Sequence, residues 1–402
     1  MPRYSGDTEQ PQEKHFMHVV DATLFYSPTS GGVKRYLLAK HEWMRAHTNW
    51  RHSLVVPGEH AALAPDEVST VAGRPVPGAF NYRLPLNPLR WSRVIDALEP
   101  DLIEVGDAFH PAWAAASVAN RRGIPLIGFY HSNFPQLAGR RLGSAVQKFI
   151  EWYVKLTYEQ CTQVLAPSRY MCQYLNSIGV MHVMQQPLGV DIETFSPVRN
   201  GRDLRTELNL PRDARLLVFA GRFSAEKNIP LLLEAFRKLG EPYHLLLIGG
   251  AGSGRTGNVT RLPYCRDNQA LAGYLCAADA FVHAGTHETF GLAILEALAC
   301  GRPVVAMRAG AVPELFDDGA GLLAEPHADA VQGAENFAAA ISALYERDLE
   351  ALGAAARAHV VGNYTWTRAL QGLMGRYQAA ASAHQLPAVG KALARAGWSK
   401  PA

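Results

Sequence analysis

The sequence predicts an α/β protein of two consecutive Rossmann-like domains, each built on a doubly wound parallel sheet, that face each other across a cleft. Three observations lead to this prediction. The chain has 402 residues, more than a single hydrophobic core usually serves. Short apolar strands alternate with helical patterns, and this rhythm stops near residue 200 and then starts again. Glycine-bearing loops follow several strands, at the sheet edge where doubly wound folds bind ligands.

Composition excludes several classes of protein. The net charge is only +3, which argues against a nucleic-acid-binding protein. The five cysteines are odd in number, scattered, and form no C-x-x-C pair, so we expect reduced core thiols in a cytoplasmic protein. No apolar run approaches the ~20 residues that a membrane-spanning helix needs. Residues 1–15 are polar, lack a signal-peptide core, and are predicted to be a disordered lead-in.

The first domain is predicted to span residues 16–199. Residues 16–21 form an apolar strand, Gly31 and Gly32 follow in a loop, and a helix pattern begins at Val33. Such a strand–loop–helix unit brings the loop glycines to the ligand-binding edge, although a plain tight turn is an equally good interpretation of this pair. Further strands are predicted at residues 53–57, 101–105 and 124–130, a long loop at residues 75–89, and a helix at residues 112–119.

His131 follows the strand at residues 124–130 directly. This position lies at the functional edge of the sheet, so the imidazole is a candidate ligand-binding group. A hydrogen-bonded structural histidine is the alternative, and position alone does not decide between them.

Residues 140–160 are predicted to form one long helix with an apolar stripe that includes Leu142 and Phe149. Most such stripes pack on a sheet, which is the favoured interpretation. The alternative is a face that touches an anionic membrane, because four cations surround the stripe.

The second domain is predicted to span residues 200–370. A strand at residues 216–220 leads into a loop that carries Gly221, Arg222 and Lys227, and a helix follows at residues 230–239. Two cations on one strand-to-helix loop suit a phosphate, whereas two unrelated surface cations are the alternative. The next strand is predicted at residues 244–248.

Residues 249–256 have the sequence GGAGSGRT, which approaches a phosphate-binding P-loop. A P-loop opens directly into a helix, but the residues that follow here are typical of a loop and a strand. The overlapping G-x-G-x-x-G spacing fails for the same reason, so both motifs are rejected.

The centre of the second half is residues 283–315. Leucines at helical spacing predict a helix over residues 291–300 that ends at Gly301, and residues 304–307 form an apolar strand. Glu296 lies on this otherwise apolar helix, and Glu288 lies in the loop before it. A helix N-terminus attracts anions, which makes the start of this helix a candidate diphosphate site. The two carboxylates lie on either side of that site and could accept hydrogen bonds from the hydroxyl groups of a sugar and a ribose. A buried glutamate needs a partner. The alternative interpretation of Glu288 and Glu296 is two unrelated acids exposed to solvent.

Residues 371–402 are predicted to be a terminal helix and loose tail that pack back on the first domain. Alanine-rich helices precede them over residues 334–361.

These residues resemble the retaining GT-B glycosyltransferases of family 4 over most of residues 17–370. The specific part is the segment from Glu288 to Glu296, E-T-F-G-L-A-I-L-E, which matches the E-x7-E signature of that family. Gly31-Gly32, the Arg222–Lys227 loop and the segment at residues 310–314 occur in the expected order. Residues 130–135, Y-H-S-N-F-P, look like the corresponding segment of bacterial mannosyl- and sulfoquinovosyl-transferases that act on lipids.

The resemblance implies a GT-B fold and a role for each matching residue. Arg222 and Lys227 would neutralise the diphosphate, with Gly221 and the N–H groups of Gly31 or Gly32 close to it. Glu296 would hold the ribose. Glu288 and the N–H groups of Phe290 and Gly291 would hold the donor sugar, and Thr289 and Leu292 would also bind the donor. Leu262 and Tyr264 would lie against the base, and His131 would contact a sugar hydroxyl. Asp107, His110 and Asn133 would bind the acceptor.

The implied reaction is transfer of a hexose from GDP-mannose or a UDP-glucose-type donor to a lipid or glycan hydroxyl, with retention. His131, Arg222, Lys227 and Glu288 are the predicted catalytic residues. No D-x-D motif occurs in the chain, so no metal and no cofactor beyond the donor are expected. The expected location is cytoplasmic, with the inner membrane face as an alternative. Ala311 departs from the family pattern, since a glycine is usual there. A sugar-nucleotide epimerase, a phosphorylase and a non-catalytic nucleotide-sugar-binding protein are the rival functions.

Overall fold

The computed structural model describes residues 17–26, 31–76, 83–85, 87–197, 202–317 and 319–385. The predicted lead-in at residues 1–15, the boundary at residue 200 and the loose tail from residue 389 onward lie outside these residues. Two seven-stranded sheets dominate the described part of the chain, and helices connect most of their strands. The predicted α/β class with two Rossmann-like units is therefore confirmed.

The first sheet takes its strands from residues 18–185 and is parallel throughout, with the order β3-β2-β1-β6-β7-β8-β9. Its strands β1, β6 and β7 are buried along their whole length, as expected of a parallel sheet covered on both faces. In chain order the elements are β1 (His18–Ala22), α1 (Gly32–His47), β2 (Arg51–Gly58), β3 (Val68–Ala72), β4 (Arg74–Pro75), β5 (Arg83–Leu84), α2 (Pro88–Ala97), β6 (Leu102–Val105), α3 (His110–Arg122), β7 (Leu126–Phe129), α4 (Phe134–Leu142), α5 (Ser144–Tyr158), β8 (Gln163–Ala166), α6 (Arg169–Ser177) and β9 (Val183–Gln185).

The second sheet has the order β12-β13-β11-β10-β14-β15-β16 and is parallel except for the edge pair β12 and β13. This antiparallel pair begins inside GGAGSGRT, at Gly254, where a P-loop would have opened a helix. The elements are α7 (Leu204–Glu207), β10 (Arg215–Ala220), α8 (Ile229–Leu239), β11 (Tyr243–Gly250), β12 (Gly254–Thr256), β13 (Val259–Pro263), α9 (Asn268–Ala277), β14 (Ala280–His283), α10 (Leu292–Ala299), β15 (Val304–Met307), β16 (Gly321–Ala324), α11 (Ala330–Leu344), α12 (Leu349–Asn363) and α13 (Trp366–Gln385).

Two of the predicted elements were wrong. The single helix at residues 140–160 is two helices, α4 and α5, because Gly143 adopts φ 95° and ψ 166° and cannot continue an α-helix. The predicted loop at residues 75–89 contains the end of β4, all of β5 and the start of α2, whose first turn is capped by Asn87 and begins with Pro88. Asparagine at the N-cap and proline at the first helical position were signals of a helix start that the interpretation missed.

The last helix, α13, packs on α1 of the first half, as predicted. The contact centres on Lys40, which is fully buried. Its ammonium group donates to Asp21 Oδ1 at 2.8 Å, Glu104 Oε1 at 2.9 Å and the Tyr377 hydroxyl at 2.8 Å. A buried ammonium group requires such partners, so this network fixes α13 against β1, β6 and α1.

All five cysteines are free, but only Cys276 and Cys300 are buried, whereas the other three are half-buried. The expectation of core thiols therefore holds for two of the five. In the described part of the chain, no helix combines the length and the apolar character that crossing a bilayer requires.

Candidate active site

A cleft between the two sheets brings most of the predicted donor residues together. It encloses about 2410 Å³, including its open mouth. Leu262 is the exception among the predicted donor residues, because it packs against the core from β13 instead of lining the cleft. The predicted residues that line the cleft are Gly31, Gly32, His131, Asn133, Gly221, Arg222, Lys227, Tyr264, Glu288, Thr289, Phe290, Gly291, Leu292 and Glu296.

Two helix N-termini meet at the centre of this cleft. Helix α10 starts after Gly291, which has φ 104° and therefore a conformation that favours glycine. Helix α1 starts at Gly32, and a Cβ atom added there would lie 3.2 Å from Leu292 Cδ1 of the facing helix. The unpaired N–H groups of both helix starts give this part of the cleft a positive potential that suits a phosphate.

Glu288 lies just before α10 and touches two basic side chains. Its carboxylate contacts Lys227 Nζ, and His283 Nε2 lies 3.0 Å from Glu288 Oε1, off the direction of a hydrogen bond. Burial alone raises the pKa of this carboxyl group, but Lys227 and His283 outweigh burial and hold the pKa well below its usual range. Glu288 is therefore ionised at every pH at which the protein is expected to work.

The backbone of Glu288 is fixed by the loop after β15. Ala311 N–H donates to the Glu288 carbonyl at 3.0 Å, and a Cβ atom on Gly310 would lie 2.7 Å from that same carbonyl oxygen. Only glycine fits at position 310. Ala311 is fully buried and does not line the cleft, so its methyl group leaves the cleft wall unchanged despite the departure from the family pattern.

The two predicted phosphate-binding cations lie on the loop between β10 and α8. Lys227 ends a 3-10 helix, Ala225–Lys227, and Arg222 lies five residues earlier at the cleft wall. Arg222 is exposed, and it pairs with no carboxylate among the described residues. Its guanidinium group is thus available to an anion in the cleft, whereas Lys227 is already shared with Glu288.

Glu296 is buried on α10, and the partner that a buried glutamate needs is Arg35 of α1. Arg35 Nη1 contacts Glu296 Oε1, and Nη2 donates to Asn268 Oδ1 at 3.2 Å. Burial raises the pKa of Glu296, and the guanidinium group of Arg35 opposes that shift. The sequence interpretation missed Arg35, although its position three residues after Gly32 places it in the first turn of α1, at the cleft.

His131 extends from the end of β7 into the cleft. Its ring stacks on Phe129 at a centroid distance of 4.2 Å, and its Nε2 atom is buried without a hydrogen-bond partner among the described residues. Burial, helped by the charge of Lys40, lowers the pKa of His131 to about 3. The imidazole is therefore neutral and can exchange a hydrogen bond with a hydroxyl group. Thr289 Oγ1 donates to the His131 carbonyl at 3.1 Å and so connects the two halves beside it.

The three residues predicted to bind the acceptor lie in different surroundings. Asn133 caps α4 and lines the cleft. Asp107 lies in the wall of a smaller, mostly aromatic cavity beside His131, and accepts hydrogen bonds from Thr23 Oγ1 at 2.9 Å and from two backbone N–H groups. Burial raises the pKa of Asp107 to about 6. His110 begins α3 outside the wall of either cavity and lies edge-on to Trp91.

Among the described residues, no three histidine, cysteine or acidic side chains lie close enough together to hold a metal ion.

Two family models match the chain. Residues 30–194 match the model described as Glycosyltransferase Family 4, and residues 214–347 match the model described as Glycosyl transferases group 1. A GDP-mannose-dependent α-(1-6)-phosphatidylinositol dimannoside mannosyltransferase of Mycobacterium tuberculosis is 30% identical over 338 residues, which cover 78% of this chain and 86% of that protein. The chain belongs to glycosyltransferase family 4.

A second relative and a solved structure are also similar to this chain. A GDP-mannose-dependent α-mannosyltransferase of Corynebacterium glutamicum is 27% identical over 90% of this chain and 88% of its own length. The solved structure of a sucrose-phosphate synthase from Thermosynechococcus elongatus superposes with a TM-score of 0.73 at 22% identity, over 90% of this chain and 98% of that one. The predicted resemblance and the GT-B fold are confirmed, and this family 4 member is a glycosyltransferase.

Proposed function

We propose that this family 4 member transfers mannose from GDP-mannose to a hydroxyl group of a lipid or glycan acceptor, with retention of the anomeric configuration. The observation that carries the proposal is the contact of ionised Glu288 with Lys227 beside the N-terminus of α10. A carboxylate, a cation and a helix start at one point suit a sugar diphosphate. GDP-mannose is chosen because the mycobacterial and corynebacterial relatives are GDP-mannose-dependent mannosyltransferases.

The diphosphate is proposed to lie between the N-termini of α1 and α10, with Lys227 and Arg222 as its cations. Breaking the bond between the sugar and the diphosphate builds negative charge on the leaving group. Preorganised cations and N–H groups stabilise such charge most when water is excluded. These groups neutralise the leaving group in the proposed reaction without a divalent metal, in line with the lack of a D-x-D motif.

Glu288 and Glu296 are proposed to bind hydroxyl groups and not to transfer protons. The low pKa of Glu288 makes it a poor general acid, and its carboxylate can accept hydrogen bonds from the donor sugar. Glu296 accepts from the ribose, Tyr264 contacts the base, and the neutral His131 contacts a sugar hydroxyl. The acceptor hydroxyl attacks from the face that the diphosphate leaves, and a phosphate oxygen receives its proton, so the reaction needs no protein nucleophile.

A transfer assay tests this function. Purified protein is incubated with GDP-mannose and a mannosylated phosphatidylinositol acceptor, and the new glycosidic bond is assigned by NMR. Because the donor sugar is α-linked, retention predicts an α-linked mannoside. A β-linked product contradicts retention. An altered nucleotide sugar without an acceptor product indicates an epimerase, and donor binding without any product indicates a non-catalytic protein.

We also propose that α5 contacts an anionic membrane at the cytoplasmic face, which brings a lipid acceptor to the cleft. Phe149 and Trp152 are 63% and 56% exposed, and their ring centroids lie 5.8 Å apart on the surface of this helix. Leu142, at the end of α4, is 67% exposed, and Arg141 and Lys148 are exposed nearby in sequence. Aromatic side chains beside cations suit the boundary between lipid headgroups and acyl chains.

Vesicle flotation tests the membrane contact. Wild-type protein should float with vesicles of phosphatidylcholine and phosphatidylglycerol, and less so at high salt, which screens the cations. The double variant Phe149→Ser/Trp152→Ser should no longer float with the vesicles. Leu89→Ser is the matched control, because Leu89 is 65% exposed on α2. The proposal is wrong if wild-type protein stays unbound or if the double variant floats as well as the control.

A further inference from the structure

Arg35 connects the two halves of the molecule at the floor of the cleft. It lies in the first turn of α1, yet both of its side-chain partners, Glu296 and Asn268, belong to the second half. Among the described residues, it is the only cation that pairs with Glu296. The first half therefore supplies the counter-charge of a carboxylate that the second half carries.

The two carboxylate oxygens of Glu296 have different surroundings. Oε1 contacts Arg35, whereas Oε2 accepts no hydrogen bond from the described residues, and Glu296 lines the cleft. The Glu296 side chain is only 4% exposed, so its charge depends on a partner close by. The guanidinium group of Arg35 holds one oxygen of this carboxylate through Nη1, while Asn268 Oδ1 accepts a hydrogen bond from its Nη2.

We propose that Arg35 is a positioning residue for the ribose of the donor: it holds Glu296 from across the cleft so that the free carboxylate oxygen accepts the ribose hydroxyls. This inference rests on the proposed function, in which Glu296 binds the ribose. Arg35 acts through Glu296 and does not touch the diphosphate. The affinity for the nucleotide therefore depends on a helix of the half that is proposed to bind the acceptor.

The test measures how strongly the protein distinguishes GDP from its dideoxy analogue, which lacks both ribose hydroxyls. Calorimetric titration gives the two dissociation constants for wild type, Arg35→Met, Arg35→Lys and the control Arg45→Met. Arg45 is an exposed arginine on the same helix, so the control removes a charge of the same kind. Thermal melting of each variant establishes that it is folded. If Arg35→Met does not fold, Arg35→Gln takes its place and is compared with Arg35→Lys.

Arg35→Met is expected to weaken GDP binding roughly 30-fold, the effect of removing one partner of a buried charge pair, and to change binding of the dideoxy analogue by less than about threefold. The preference for GDP thus collapses in this variant, is partly recovered in Arg35→Lys, and is unchanged in Arg45→Met.

Three results overturn the inference. If Arg35→Met keeps the preference for GDP, Arg35 does not act on the ribose. If it weakens both ligands equally, Arg35 contacts the diphosphate or has only a structural role. If wild-type protein binds GDP and its dideoxy analogue equally, Glu296 does not hold the ribose. The first two results leave the proposed transferase function standing. Failure of wild type to bind GDP, UDP or a nucleotide sugar overturns the transferase proposal and this inference together.

Discussion

Glu288→Ala is expected to lower kcat/KM for mannose transfer by about a thousandfold while GDP still binds, because one preorganised group that stabilises the transition state is worth roughly 3–4 kcal/mol. Glu288 is proposed to contact the donor sugar and not the nucleoside diphosphate. Its removal also releases Lys227 from its carboxylate partner. The affinity for GDP should therefore stay the same or increase, whereas the sugar loses its hydrogen-bond acceptor.

Parallel measurements of transfer and of GDP binding decide this prediction. Glu234→Ala is the control, since Glu234 is a carboxylate on α8 that pairs with Arg237 at the surface. The control should transfer mannose at the wild-type rate. Loss of GDP binding together with transfer in Glu288→Ala would mean that the carboxylate supports the structure of the site. Transfer within tenfold of wild type would mean that Glu288 does not act on the sugar.

The fold was largely predictable because local patterns carry it. Leucines at helical spacing and Gly301 gave α10 to within a residue at each end. The prediction of one long helix at residues 140–160 was wrong because the apolar stripe continues through Gly143. The positive φ of this glycine, which ends the first helix, cannot be detected from the pattern of apolar residues. Strands β3 and β9 were missed for a related reason, since they are short edge strands with weak alternation.

The candidate site was predictable where its residues follow one another along the chain. Glu288, Gly291 and Glu296 belong to one segment, and Lys227 lies on a loop whose phosphate-binding pattern is local. Arg35 could not be found in this way, because 261 residues separate it from Glu296. Lys34 precedes Arg35, and two adjacent cations in the first turn of a helix are typical of a solvated surface.

The acceptor side shows the same limit. Asp107 was assigned to the acceptor from resemblance, and its hydrogen bonds to Thr23 and Leu24 hold the loop after β6 against the loop after β1. A carboxylate at a strand end can bind a ligand or tie two loops together, and the sequence is the same in both cases. The predicted roles of Asp107, His110 and Asn133 stay predictions.

Lys227 is the residue proposed to bind the diphosphate of the nucleotide sugar in the cleft, which is the central claim. Lys227→Ala should weaken GDP-mannose binding roughly 10- to 100-fold, the value of a hydrogen bond to a charged group. The alanine also leaves Glu288 without its main counter-charge, which could repel the diphosphate by itself. The double variant Lys227→Ala/Glu288→Ala removes that repulsion and should still bind GDP more weakly than Glu288→Ala alone. Lys238→Ala is the control, because Lys238 pairs with Glu335 on the outside of α8.

Calorimetric titration of the purified protein with GDP-mannose in the presence of EDTA, for wild type and for Lys227→Ala, is the most direct measurement. Wild type is expected to bind the donor without a metal, and Lys227→Ala is expected to lose most of this affinity while its melting temperature stays close to that of the control. Equal affinity of Lys227→Ala and wild type for GDP-mannose would contradict the central claim.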